Sequence, residues 1–76
     1  METLKLSIAK QGRAGKTVTV IRGFTRDRHR MEPLVSGWKK AIGCGGSWEG
    51  QTVELQGDVR DRLRPRLLAE GFQVKG

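Results

Sequence analysis

Apolar and polar residues alternate at the start of the chain, where every second residue is apolar at Leu4, Leu6 and Ile8. This period of two predicts a strand over residues 3–9 with one apolar face. A β-rich run predicts a second strand over residues 16–22, which Gly23 ends. The two strands are predicted to form a hairpin around residues 11–17, a short basic loop that contains two glycines.

The spacing then changes to that of a helix, with one apolar stripe formed by Met31, Leu34, Val35, Trp38 and Ile42. Asp27 could cap a helix that begins early. Pro33 would then lie inside the helix, lose a backbone hydrogen bond and cost about 3 kcal/mol. We therefore predict regular helix over residues 32–42, with Pro33 in its first turn, a looser turn before it and Gly43 at its end.

Two short strands follow, around residues 47–49 and over residues 52–56. Gly50-Gln51 joins them, and glycine at the first central position predicts a type II′ turn.

A second helix is predicted after Asp58, which is expected to be its N-cap with Asp61 as the partner in a capping box. Its apolar face consists of Val59, Leu63 and Leu67. Pro65 predicts a kink in this helix, and Gly71 is expected to end it. A last strand is predicted over residues 72–74.

The order of elements is β-β-α-β-β-α-β, in one domain that spans residues 1–76. A single sheet with both helices on one face would bury all the apolar stripes. We therefore predict an α+β fold, a two-layer α/β plait with a mixed five-stranded sheet. The other face of the sheet is predicted to carry Thr, Lys, Glu and Gln side chains in contact with water.

The charge of the chain is one-sided. Fifteen Lys and Arg residues face eight Asp and Glu residues, which gives a net charge of +7 and a pI near 10.6. This balance favours a polyanion as the partner. An anionic membrane surface would need an amphipathic helix with an apolar face to spare, whereas the apolar faces here are needed for the core.

Composition also bears on location. No apolar stretch is long enough to cross a membrane, and residues 1–4 show no start of a secretory signal. Cys44 is the only cysteine, so it forms no intramolecular disulfide and no thiolate zinc site by itself. A cytoplasmic protein is the simplest interpretation.

The basic loop carries the most specific candidate chemistry. Arg13 and Lys16 place positive charge between two strands, which suits a phosphate backbone, and the candidate site also includes Lys10, Gly12 and Gly15. A nucleotide-binding P-loop is disfavoured, because Lys10 stands where that motif needs a glycine and a β-branched run follows instead of a helix. A hairpin loop whose charges contact only water is the other interpretation.

Three motifs of the chain, taken together, resemble one known family. Gly-Arg-x-Gly-Lys followed by Val-x-Val-Ile-x-Gly covers residues 12–23, and Lys-Lys-x-x-Gly-Cys-Gly-Gly covers residues 39–46. Val-Glu-Leu-Gln-Gly-Asp-x-Arg-Asp covers residues 53–61, and Gly-Phe-x-Val-Lys follows at residues 71–75. With these motifs in order, the chain resembles the Sui-type translation initiation factors, that is, eukaryotic initiation factor one and its archaeal and bacterial relatives. The Gly-Cys-Gly-Gly segment is most similar to the prokaryotic branch.

The resemblance implies an α/β plait that binds the small ribosomal subunit near the P site. There the family monitors pairing between initiator tRNA and the start codon. The resemblance further implies contacts to ribosomal RNA from Arg13 and Lys16 in the loop, and from Lys39 and Lys40 late in the first helix. Initiator tRNA and other initiation factors are further candidate partners, and no cofactor, metal or enzymatic activity is implied.

Two other functions remain as alternatives. A general RNA-binding protein or RNA chaperone is disfavoured, because the strands lack the paired aromatic residues of sheet-type RNA readers. A small enzyme that uses Cys44 would need an activating histidine, and none lies near it in sequence.

Single residues also have competing interpretations. Lys39 and Lys40 could simply be solvated and favour the negative end of the helix dipole. Trp38 is predicted to lie in the core, whereas Trp48 could stabilise a hairpin or stack on a base. His29 is predicted to be a surface residue, and the arginines of the second helix are predicted to lie partly on opposite faces.

Overall fold

The computed structural model describes residues 2–11 and 15–76. Their elements follow the predicted order: β1 Thr3–Gln11, β2 Lys16–Arg22, α1 Arg28–Ile42, β3 Gly46–Glu49, β4 Thr52–Gln56, α2 Arg60–Ala69 and β5 Gln73–Lys75. The five strands form one sheet in the order β3-β4-β2-β1-β5. Neighbouring strands are antiparallel except β1 and β5, which are parallel. The predicted α+β fold with a mixed five-stranded sheet is confirmed.

The apolar face of the sheet is fixed by the strand register. Leu6 lies opposite Ile21, and Ile21 lies opposite Val53, so these side chains share one face. Both helices pack on that face, since the core cluster also contains Val35 of α1 and Leu63 of α2. The helices therefore form one layer and the sheet the other.

The first helix begins four residues earlier than predicted, at Arg28 instead of about residue 32. The Asp27 carboxylate accepts a hydrogen bond from the Arg30 backbone N–H at 2.9 Å and caps it. The early start also buries Met31, which is fully inaccessible to solvent. Pro33 consequently lies inside the helix. The cap and the buried methionine together offset the backbone hydrogen bond that the proline cannot make.

The second helix is not capped by Asp58, as the sequence had suggested. Its N-cap is Val59, whose backbone N–H donates to Oγ1 of the fully buried Thr19 at 2.9 Å. Thr19 Oγ1 in turn donates to the Gly57 carbonyl at 2.7 Å. The Asp58 carboxylate accepts a hydrogen bond from the Arg60 backbone N–H at 3.4 Å and pairs with the Arg60 side chain, and hydrogen bonding from that side chain lowers the pKa of Asp58. The N-cap is therefore one residue later than predicted, and the Thr19 hydroxyl anchors the backbone just before the helix.

The end of α2 follows the prediction. Gly71 has φ of +93°, and the Phe72 N–H donates to the Leu67 carbonyl at 3.0 Å, the pattern of a Schellman motif. The last strand begins one residue later than predicted, so Phe72 itself is buried before β5. The assigned helix runs through Pro65, and the kink there stays a prediction.

The four aromatic side chains of the chain form one continuous cluster. Phe72 meets Trp38 edge-on at 6.3 Å between ring centroids, and Trp38 stacks on Phe24 at 6.4 Å. Phe24 then packs against Trp48 at 5.4 Å. Trp38 is fully buried, as predicted, while Trp48 is half-buried at the edge of the sheet. The cluster thus joins α1 to the ends of β2 and β3.

The face of the sheet away from the helices is only partly as predicted. Lys5 lies opposite both Arg22 and Lys75, so three cations stand in one row across β2, β1 and β5. Val20 also lies on this face, opposite Ser7, yet it is only 7% exposed.

Candidate nucleic-acid interface

One end of the molecule gathers the start of β2, the end of α1 and the end of β4. The Gly57 N–H donates to the Thr17 carbonyl at 2.8 Å, which places the end of β4 beside the start of β2. The Gln56 N–H donates to the Gly45 carbonyl at 2.8 Å, which brings the segment after α1 to the same place. We call this the loop end of the fold.

The loop residues predicted as RNA contacts are only partly within the described residues. Gly12 and Arg13 lie outside them. Lys10 and Lys16 are exposed, and the register places them on opposite faces of the hairpin, since Lys10 pairs with Thr17. Gly15 has φ of +62°, the left-handed conformation that favours glycine. Lys10 and Lys16 therefore flank the loop from both sides.

The end of α1 supplies two further cations. Lys39 and Lys40 lie in the last turn, where positive charge is favoured by the helix dipole. The Lys39 carbonyl accepts hydrogen bonds from the Gly43 and Cys44 N–H groups at 2.8 and 3.1 Å. Among residues 2–11 and 15–76, neither lysine forms an ion pair. Both are therefore available to an external anion.

Arg62 is a further cation at this end, which the sequence did not single out. Its Nη1 approaches the Ile42 carbonyl, the last residue of α1, at 3.5 Å. Arg66, one turn later, also faces α1, because its Nη2 lies 3.5 Å from where a Cβ on Gly37 would stand. Arg60 and Arg64 instead bond to Asp58 and to the Gly76 carbonyl. The predicted division of these arginines between two faces is confirmed. The sequence feature that could have revealed Arg62 is the helical spacing of Arg62 and Arg66 next to Leu63 of the apolar face.

Comparison with known protein families identifies the family of this chain. The family model described as Translation initiation factor SUI1 matches residues 1–73. The chain belongs to the SUI1 family. The resemblance inferred from the three motifs is thereby confirmed.

Individual relatives agree with this family. The chain is 42% identical over 64 residues to YciH of Escherichia coli, which covers 84% of this chain and 59% of that protein. It is 35% identical over 69 residues to a protein translation factor SUI1 homolog of Sulfolobus acidocaldarius, with 91% and 69% covered. It is 32% identical over 74 residues to sll0546 of Synechocystis sp., with 97% and 67% covered. The chain thus spans between 59% and 69% of the length of these relatives.

Membership in the SUI1 family supports a role in translation initiation. The family is one of translation factors and not of enzymes. The structure adds where the three motifs of this SUI1-family chain lie. Residues 15–23, 39–46 and 53–61 form β2, the end of α1 with its following turn, and β4 with the start of α2. The second and third motifs meet the beginning of the first at the loop end.

Cys44 lies at this end of the SUI1-family chain but is half-buried against the core. Burial raises the pKa of its thiol above 9.0, although the charges of Arg62 and Lys39 oppose that change. Because only the thiolate is an effective nucleophile, this arrangement favours a structural residue. His29 is exposed at the start of α1, at the other end of that helix. In the described ranges, no three His, Cys, Asp or Glu side chains group as metal ligands would, and no helix is long and apolar enough to cross a membrane.

Proposed function

We propose that this protein is a non-enzymatic initiation factor that docks on the small ribosomal subunit near the P site and influences the choice of start codon and initiator tRNA. The observation that carries the proposal is that Lys16, Lys39 and Lys40 all lie at the loop end, Lys16 on the sheet face away from the helices, with no described carboxylate paired to them. Arg62 adds a fourth described cation there. Docking on ribosomes also implies a cytoplasmic location.

The proposed contacts are to phosphates of ribosomal RNA. They come from Lys10, Gly12, Arg13, Gly15 and Lys16 around the loop, and from Lys39 and Lys40 at the end of α1. Phosphate contacts supply affinity and orientation without reading sequence. Folded RNA presents phosphates in a fixed shape, so the spacing of cations around the loop end would select the docking site. Initiator tRNA and other initiation factors are the further partners that this location would offer.

The test measures binding to purified small subunits at several salt concentrations. If Arg13, Lys16, Lys39 and Lys40 each neutralise one phosphate, the logarithm of the binding constant should fall with that of salt with a slope of about −3. The variant Lys16→Ala/Lys40→Ala should weaken binding and reduce the slope by about one to two. Stability should hardly change, because exposed charges contribute little to folding.

The matched control is Lys5→Ala/Lys75→Ala. It removes the same charge from two exposed lysines that lie side by side on the far face of the sheet. If it weakens subunit binding as much as the loop-end variant, net charge explains the affinity and the proposed site is wrong. Saturation near one copy per subunit supports docking at a defined site. Binding of many copies would instead support the general RNA-binding alternative.

A further inference from the structure

A cavity of about 350 Å³ lies at the opposite end of the molecule, between the start of α1 and the β3–β4 hairpin. Its lining includes Phe24, Arg26, Arg28, Trp48 and Gln51. Arg28 begins α1, whereas Lys39 lies in its last turn, so about 16 Å of helix separates this cavity from the loop end. The cavity is therefore distinct from the proposed ribosome-docking site.

The walls of the cavity combine aromatic rings with positive charge. Trp48 packs on Phe24 at 5.4 Å between ring centroids, which fixes the indole on the core. The Arg28 guanidinium carbon lies 5.5 Å from the centroid of the Trp48 ring. Arg28 is exposed and forms no ion pair with any carboxylate of the described residues. An unpaired cation thus lies against the indole that lines the cavity.

We propose that this cavity binds one unpaired base of single-stranded RNA together with its adjoining phosphate. The base stacks on the indole of Trp48 in place of the Arg28 guanidinium, and Arg28 then pairs with the phosphate. Stacking of a base on an aromatic side chain is generally stronger than an exposed cation–π contact, so the exchange is favourable. The released guanidinium gains a charge-assisted hydrogen bond, which favours the exchange further.

The positive charge of the cavity favours this ligand over an apolar peptide, and its aromatic lining favours this ligand over an acidic peptide without aromatic rings. Two arginines and one carboxylate line the cavity. Arg26 is paired with Glu2 at 2.7 Å, and the Asp27 carboxylate is bonded to the Arg30 N–H, so Arg28 is the lining cation without an ion pair among the described residues. Only a ligand with both an aromatic plane and negative charge uses the Trp48 indole and the Arg28 guanidinium together. A nucleotide of a single strand has both, and stacking accepts any of the four bases.

The experiment compares two labelled probes by fluorescence anisotropy at low salt: a six-nucleotide uridylate RNA and an abasic oligomer of equal length and charge. The wild-type protein should bind the uridylate about tenfold more tightly than the abasic oligomer. Its tryptophan fluorescence should fall over the same concentration range with uridylate alone. Trp38 is fully buried, so a change in fluorescence reports on Trp48.

Variants locate the stacking surface. Trp48→Leu should remove the preference for uridylate, whereas Trp48→Phe should keep most of it, since a ring remains. The Trp48 Nε1 has no hydrogen-bond partner among the described residues, so Trp48→Phe costs the fold no such bond. Arg28→Ala should weaken the binding of both probes. It should also reduce the salt dependence of the binding constant by about 0.7 in slope, which corresponds to the loss of one phosphate contact. The charge control Lys5→Ala/Lys75→Ala should leave the ratio of the two affinities unchanged.

Two outcomes would overturn the proposal. Equal affinity of the wild-type protein for the two probes would mean that no base is bound. A preference that survives in a folded Trp48→Leu variant would place the base elsewhere. If that variant does not fold, two other measurements decide: the wild-type comparison of the two probes and the fluorescence of Trp48→Phe. Trp38 is the tryptophan that remains in Trp48→Phe. Quenching that persists in this variant would therefore also refute stacking on Trp48. Ribosomes take no part in these measurements, so their outcome is independent of the proposed docking function.

Discussion

Trp38 and Glu70 join the two helices through a single hydrogen bond. The indole Nε1 of Trp38 donates to Glu70 Oε1 at 2.6 Å. Trp38 is fully buried, and Glu70 is the C-cap of α2, where Arg66 lies 3.8 Å from its other oxygen. The bond therefore fixes how the middle of α1 lies against the end of α2.

Removing either partner should lower the free energy of unfolding. Trp38→Ala should cost about 3–5 kcal/mol, as large truncations in a core do. Glu70→Ala should cost about 1–3 kcal/mol, because it leaves a buried N–H without an acceptor. Arg66→Ala is the control and should change stability by less than about 1 kcal/mol. Urea unfolding measures all three, and an unchanged midpoint for Glu70→Ala would show that the hydrogen bond does not hold the helices together.

Thr19→Val should destabilise the protein although it preserves the shape of the side chain. The buried hydroxyl accepts from the Val59 N–H and donates to the Gly57 carbonyl, so valine leaves both backbone groups unpaired. We expect a loss of about 1–3 kcal/mol in urea unfolding. Thr19→Ser keeps the hydroxyl and should be the milder change. If valine is tolerated better than serine, packing and not the hydrogen bonds determines this position.

Thr19 also shows which features the sequence could reveal. Periodicity located every strand and both helices, because apolar side chains must share a face for burial. The hydrogen bond that anchors the start of α2 was missed, since its oxygen comes from a strand 40 residues away along the chain. The start of α1 was predicted too late, because the cost of Pro33 inside a helix can be read from the local sequence. The burial of Met31, which favours the earlier start, depends on the assembled core and cannot be read in this way. For the same reason Arg62 joined the candidate site only once the two helices were placed side by side.

Glu2 is predicted to make the protein more sensitive to acid. Its side chain is 9% exposed, receives the Thr25 N–H at 3.0 Å and pairs with Arg26 at 2.7 Å. Burial tends to raise the pKa of Glu2, but the Thr25 hydrogen bonds and the Arg26 charge outweigh it and hold the pKa below 4.5. A carboxylate whose pKa is lowered by folding stabilises the fold at pH values above its pKa in the unfolded chain. That contribution is lost as the pH falls through its pKa in the folded protein.

The corresponding variant is Glu2→Gln, with Glu32→Gln on the exposed side of α1 as the control. Glu2→Gln should be less stable than the wild type at neutral pH, and the difference should shrink as the pH falls below 4.5. Glu32→Gln should follow the wild type throughout. Urea unfolding across this range measures the effect. A stability difference for Glu2→Gln that does not change with pH would show that the charge of Glu2 is not responsible.

Cys44 is predicted to be structural. Burial raises the pKa of its thiol, so the thiolate is scarce at neutral pH and alkylation of the native protein should be slow. The urea-unfolded protein, in which the thiol is exposed, is the reference for the rate. Cys44→Ser should retain binding to the small subunit. Fast alkylation of the native protein, or loss of binding in a folded Cys44→Ser variant, would assign the thiol a role in function.

The parallel pairing of β1 with β5 has a consequence for synthesis of the chain. Thr3 pairs with Gln73, a separation of 70 residues, so one edge of β1 stays open until β5 has been synthesised. Contacts of such long range form late and slow folding. Until then, the nascent chain presents the backbone of its first strand as an unpaired edge, the kind of surface on which other strands can add. For this protein, the sheet should therefore close only after β5 has been synthesised, however early the hairpin of β1 and β2 forms.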